Sequence, residues 1–152
     1  MHDQLYQEII LDHYKRPHGR GLRDPYNGHA HQVNPTCGDE IDMRVQLEDG
    51  VLTDVSYDGA GCSISQASAS VLFDLVEGRK VDDAMERFEA FSALVAGRGD
   101  VVPDEELLED GIAFVGVAKY PARVKCALLP WMALKAAVLS AATPDVTDGG
   151  TK

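Results

Sequence analysis

Two alternating stretches joined by Asp49-Gly50 constrain this chain more than any other feature. Ile41, Met43, Val45 and Leu47 are separated by charged or polar residues, the period of a strand with one buried face. Asp-Gly is a strong signal for a two-residue hairpin, whose tight turn needs residues that accept positive φ. Val51, Thr53, Val55 and Tyr57 carry the alternation back, with Leu52 out of step.

Beyond the hairpin the period becomes helical. "SISQ" at 63–66 has the form of a capping box. It predicts a helix carrying Val71, Leu72 and Leu75 that stops at Gly78. A second helix spans 81–96, with Ala84, Met85, Phe88, Phe91 and Val95 as its stripe and Gly97 at its end. Residues 98–120 read as an insertion: a polar link, a short acidic helix opened by Pro103, and a brief apolar run. The last helix starts near Pro121, a favoured first helical residue, and runs to 142, closed by Pro144. Pro130 inside it cannot donate to the carbonyl of Cys126, which predicts a kink or a loosened turn. At the start of the chain, Leu5, Tyr6, Ile9, Ile10, His13 and Tyr14 mark the inner side of a helix over 3–15. Residues 16–38, rich in Gly, Pro and Asn, read as a long loop that delivers Cys37 at its far end. With strands early and helices late, the expected class is α+β, a small antiparallel sheet covered by helices. Residues 1–143 read as one domain, and 144–152 as a polar, flexible tail.

Charge narrows the range of partners. With 152 residues and a net charge of −11, the chain lacks the basic balance that phosphate-backbone binding needs, so nucleic acid is not an expected partner. The first residues show no basic leader followed by an apolar run. No apolar stretch approaches the roughly 18 residues that span a bilayer, so no membrane association is expected. A cytoplasmic location is the expectation. In a reducing compartment three cysteines read as free, catalytic or metal-bound rather than as a disulfide framework.

Those cysteines are Cys37, Cys62 and Cys126, each at the edge of an expected element. Cys62 falls at a helix start, where the helix dipole favours negative charge. Asp39 lies two residues beyond Cys37, across Gly38, and can face the same way. Three thiolates and a carboxylate suit a tetrahedral zinc shell. Neighbouring Arg123 and Lys125 would offset its negative charge. The spacing alone leaves a second reading open, three unrelated cysteines buried as small apolar residues, with Asp39 an ordinary turn residue. His29 and His31, in "HAH", are a rival ligand pair or a solvated loop. Trp131 reads as core, His13 and Tyr14 as packing or hydrogen-bonding groups, and "KRPHGR" at 15–20 as a solvated helix end.

"LYQEIILDHYKRP", "NPTCGDEI", "DGAGCSISQASAS" and "YPARVKCALLPWMALK" resemble segments of the SufU branch of the IscU-like iron–sulfur cluster assembly family, and the likeness runs over about 5–142. It implies that family's α+β fold, the IscU-like fold. It also implies a zinc site built from Cys37, Asp39, Cys62 and Cys126, and a SufS-type cysteine desulfurase, a pyridoxal-phosphate enzyme, as partner. In that branch the cysteine matching Cys37 accepts persulfide sulfur for iron–sulfur assembly proteins, and the arginine matching Arg123 is implicated in docking. The scaffold branch carries a [2Fe–2S] cluster on the same cysteines. It usually has a histidine where this chain has Lys125, and lacks the stretch corresponding to 99–116. The resemblance therefore implies a zinc-dependent sulfurtransferase, with a cluster scaffold as the alternative.

Overall fold

The computed structural model describes residues 2–36 and 38–142. A helix, α1 (His2–Lys15), precedes three strands, β1 (Gly28–Asn34), β2 (Asp39–Glu48) and β3 (Val51–Ala60). Helices α2 (Ser63–Val76), α3 (Val81–Ala96) and the short α4 (Glu105–Leu108) come next. A 3₁₀ segment (Glu109–Lys119) then leads into α5 (Pro121–Ala142). The sheet is antiparallel with the order β1-β2-β3, which gives the α+β arrangement that the patterning predicts.

The hairpin forms as the dipeptide requires. Asp49 and Gly50 adopt φ of 53° and 79°, values that only a turn-tolerant pair takes at low cost. The misfit of Leu52 has a cause in the ladder. Gln46 pairs with Asp54 but Leu47 pairs with Leu52, so a bulge shifts the register there. Leu52 thereby reaches the core and is fully buried, as are Met43 and Val55, with Tyr57 almost so.

Several expectations change on contact with the structure. The segment read as loop contains β1, paired with β2 from Gly28↔Val45 to Asn34↔Asp39. Its sequence, GHAHQVN, has too few apolar residues to announce a strand, and backbone pairing supplies what the side chains do not. Tyr14 and Leu5 do not lie on the inner face of α1; both are exposed, whereas His13 is buried. Pro103 does not open the short helix. Asp104 caps α4, its carboxylate accepting from the backbone N–H groups of Glu106 and Leu107. The apolar run after α4, left without a type by the patterning, is a 3₁₀ helix. Ser63 is not the cap of α2, and Cys62 holds that position with extended φ and ψ of −74° and 170°.

The long helix α5 packs against β1, β2 and α2. It is long and apolar enough to cross a membrane by length and composition, with a mean hydropathy of 1.4 over 18 residues. The expectation that nothing approaches that length does not hold for α5, which serves here as the central core helix. Trp131 on α5 is fully buried and stacks on Phe91 of α3 at 4.9 Å between ring centroids. Pro130 lies within α5, and the helix continues past it to Ala142. The Ser68 hydroxyl of α2 donates to the carbonyl of Ala127 on α5 at 2.6 Å, tying the two helices together beside that turn. The tail expected at 144–152 lies outside the described residues.

Candidate metal centre

At one end of the sheet, the start of β2, the start of α2 and the early turns of α5 deliver three side chains to one point. A carboxylate oxygen of Asp39 and the sulfurs of Cys62 and Cys126 all lie within 4.8 Å of one another. Asp39 is fully buried and Cys126 nearly so, while Cys62 is half-buried. Residues 39, 62 and 126 of the expected ligand set are thus brought together by the fold. Cys37 lies outside the described residues.

Asp39 is oriented by a backbone donor. Its Oδ1 accepts the N–H of Cys62 at 2.8 Å, which leaves Oδ2 facing the Cys62 sulfur at 3.5 Å. Asp39, from β2, thus binds the N–H of the N-cap residue Cys62, a buried carboxylate set against the positive end of the helix. The carbonyl of Cys62 accepts the first helical bond from the N–H of Gln66 at 3.1 Å, and the Ser65 hydroxyl folds back to the same oxygen at 3.1 Å. Gly61 makes this approach feasible. A β-carbon there would stand 2.4 Å from Oδ1 of Asp39 and 2.7 Å from the Ser65 hydroxyl, distances no side chain tolerates without displacement. The Cys126 thiol points back along α5 to the carbonyl of Ala122 at 3.6 Å.

This donor set fits zinc. With Zn–S of about 2.3 Å and Zn–O of about 2.1 Å, the S···O edge of a tetrahedron measures about 3.6 Å. The observed 3.5 Å between Oδ2 of Asp39 and Sγ of Cys62 already has that length. Two sulfurs and an oxygen also leave a fourth tetrahedral position for a further donor. Among the described residues no histidine belongs to this group. His31 instead sits on β1 between carboxylates, 2.9 Å from Asp42 and 3.6 Å from Glu40, and His29 stands edge-on to Tyr26.

Arg123 is exposed one helical turn before Cys126 and lines a groove of about 530 Å³. Tyr6 of α1, Ile64 of α2 and Val117, Lys119 and Tyr120 of the 3₁₀ segment and its end complete the walls. The insertion read from the sequence thus builds one side of the groove, and Ile64 and Arg123 place the groove next to the thiol cluster in the chain. Lys125 is exposed beside it. Sequence reasoning missed Gly61 and Ser65 as supports of the centre. The signal available was a small residue directly before the second thiol, in "GAGC".

A family model of the NifU-like N-terminal domain matches residues 5–127. The chain is 39% identical over 137 residues to the zinc-dependent sulfurtransferase SufU of Bacillus subtilis (strain 168), covering 90% of each chain. It is 37% identical over 151 residues to the iron–sulfur cluster assembly scaffold protein IscU of Streptococcus pyogenes serotype M1, covering 99% of this chain and 93% of that one. Among solved structures it resembles FiSufU of Fervidobacterium islandicum AW-1, described as a putative iron–sulfur cluster assembly scaffold for the SUF system. That match has a TM-score of 0.77 and 33% identity, over 89% of this chain and 97% of the other.

Proposed function

The chain belongs to the NifU-like N-terminal domain family of iron–sulfur cluster assembly proteins, and from that premise we propose that it is a zinc-dependent sulfurtransferase. It accepts persulfide sulfur from a SufS-type cysteine desulfurase on Cys37 and delivers it to iron–sulfur cluster assembly in the cytoplasm. The observation that carries this reading is the largely buried Asp39–Cys62–Cys126 donor set, whose dimensions suit a mixed sulfur and oxygen shell.

In this reading Asp39, Cys62, Cys126 and Cys37 hold the zinc. Zinc bound there supplies the positive charge that keeps thiols deprotonated at neutral pH, where a free thiol of pKa about 8.5 is mostly protonated. Asp39 is held by the N–H of Cys62, Cys62 sits at the N-cap of α2 and Cys126 lies within α5, so these three side chains form the fixed part of the site. Cys37 precedes the first residue of β2 by two positions and takes the reactive role. Its thiolate attacks the outer sulfur of the desulfurase persulfide. A new S–S bond forms on Cys37 while the bond between the two desulfurase sulfurs breaks, and the desulfurase thiolate leaves with the electron pair. Arg123, exposed at the groove, meets the docking partner.

The name of the Streptococcus relative favours a second reading, a scaffold that carries an iron–sulfur cluster on the same cysteines. The lysine before Cys126 weighs against it, because a protonated lysine is no ligand. Single turnover with a persulfide-loaded desulfurase tests the proposal. Alkylation and mass analysis should find one added sulfur on Cys37 of the wild type. None should appear in Cys37→Ser, which should still bind the desulfurase. Undiminished sulfur uptake by Cys37→Ser would refute the acceptor assignment.

A further inference from the structure

We propose a second cation site, for a divalent first-row transition metal, built from His13, His18 and Asp74 on the side of the molecule where α1 meets α2. One donor atom from each of the three lies within 4.8 Å of the other two. Asp74 lies twelve residues beyond Cys62 along α2, about 18 Å at the helical rise per residue, so this cluster is separate from the thiol centre.

The cluster is oriented before any ion arrives. His13, in the last turn of α1, is buried and has both ring nitrogens engaged. Its Nε2 lies 2.7 Å from Oδ2 of Asp110 in the 3₁₀ segment. A carboxylate on the far nitrogen is the outer partner that metal-binding imidazoles use to fix tautomer and ring plane. With the proton on Nε2, the lone pair of Nδ1 faces the Ser70 hydroxyl at 2.7 Å. That hydroxyl also accepts the backbone N–H of His18 at 2.9 Å, which places Nδ1 on the His18 side of the ring.

His18 is pinned as firmly. Its N–H is held by Ser70 and its carbonyl accepts the Tyr57 hydroxyl at 2.8 Å. Its Nδ1 meets both carboxylate oxygens of Asp74, at 3.0 and 2.7 Å. The imidazole rings of His13 and His18 stand 4.9 Å apart. Two imidazoles and a carboxylate make a borderline nitrogen and oxygen set suited to zinc, cobalt or iron(II). His18 and Asp74 are partly exposed, 45% and 37%, which gives an ion an entry path and leaves further positions to water. To bind, the ion replaces the Ser70 hydroxyl at Nδ1 and the direct His18–Asp74 contact. A cation here ties α1 to α2, and α1 carries Tyr6, a wall of the groove beside the thiols.

The test uses tag-free full-length protein as purified, with Co²⁺ and Zn²⁺ as probes. Equilibrium dialysis against Co²⁺ at neutral pH should add one equivalent per chain beyond the metal already present. Its weak visible bands should lack the thiolate-to-cobalt charge transfer that marks sulfur ligation. In His18→Ala and Asp74→Asn the affinity for this equivalent should fall at least about tenfold. Because wild type and variants are compared directly, the result does not depend on what the thiol centre holds. Zinc titration monitored by the ¹⁵N shifts of the imidazoles gives a second readout, with His13 and His18 moving together. An absent extra equivalent, or one retained by both variants, would overturn the assignment.

Discussion

Replacing Gly61 by alanine strikes the centre without touching a ligand. The new methyl group would stand 2.4 Å from Oδ1 and 2.7 Å from Cγ of Asp39. Asp39 is fully buried, so its carboxylate has no solvent side to retreat to. Displacing it breaks the 2.8 Å bond from the N–H of Cys62. A hydrogen bond to a charged group contributes about 1.5–3 kcal/mol, so the metal-free protein should lose roughly 2 kcal/mol in urea unfolding. Zinc affinity should fall about 10- to 100-fold, as when an orienting partner of a ligand is removed, measured by competition with a chromophoric chelator. Gly38→Ala is the control. Gly38 has φ of +70° but nothing within 4 Å of the added carbon, so only backbone strain of about 1–2 kcal/mol is expected. Wild-type stability and zinc affinity in Gly61→Ala would refute the claim that this close approach positions Asp39.

Three further outcomes are expected. Burial raises the Tyr57 hydroxyl above its ordinary value of 10.0; the folded state then keeps a proton that the unfolded chain releases near pH 10. Stability should therefore be level below that pH and fall above it, while Tyr57→Phe should flatten the alkaline decline and cost about 1 kcal/mol at neutral pH for the lost bond to the carbonyl of His18. Trp131→Ala, which empties the stack against Phe91, should cost about 3–5 kcal/mol by thermal or urea denaturation. Arg123→Ala leaves the core intact because the side chain is exposed; surface plasmon resonance should show weakened desulfurase binding with zinc content unchanged.

Legibility from sequence tracked the strength of the side-chain period. The β2–β3 hairpin and α3 alternate or repeat clearly, and both lie where the pattern places them. Strand β1 was hidden because only Ala30 and Val33 among its seven residues are apolar apart from Gly28, and Val33 is 53% exposed. Its stability comes from backbone pairing with β2, which leaves no mark on side-chain pattern. Arg87 was equally invisible: a charged residue on an apolar stripe, buried by donating to the carbonyl of Leu107 at 2.6 Å and to Asp83. At the centre, motif likeness pointed to Asp39, Cys62 and Cys126, and the fold joins them. Spacing alone left convergence of the three elements open beside the reading of unrelated buried cysteines. The cap was misplaced by one residue: Cys62 holds that position, and its N–H is bound by Asp39 of β2, a partner that no local motif can announce.

Metal content measured together with the absorption spectrum after anaerobic purification tests the central claim most directly. The account predicts a colourless protein with one zinc per chain at the thiol centre, lost in Cys62→Ser. Iron and sulfide in equal amounts, with the visible bands of a [2Fe–2S] cluster and no zinc, would contradict it.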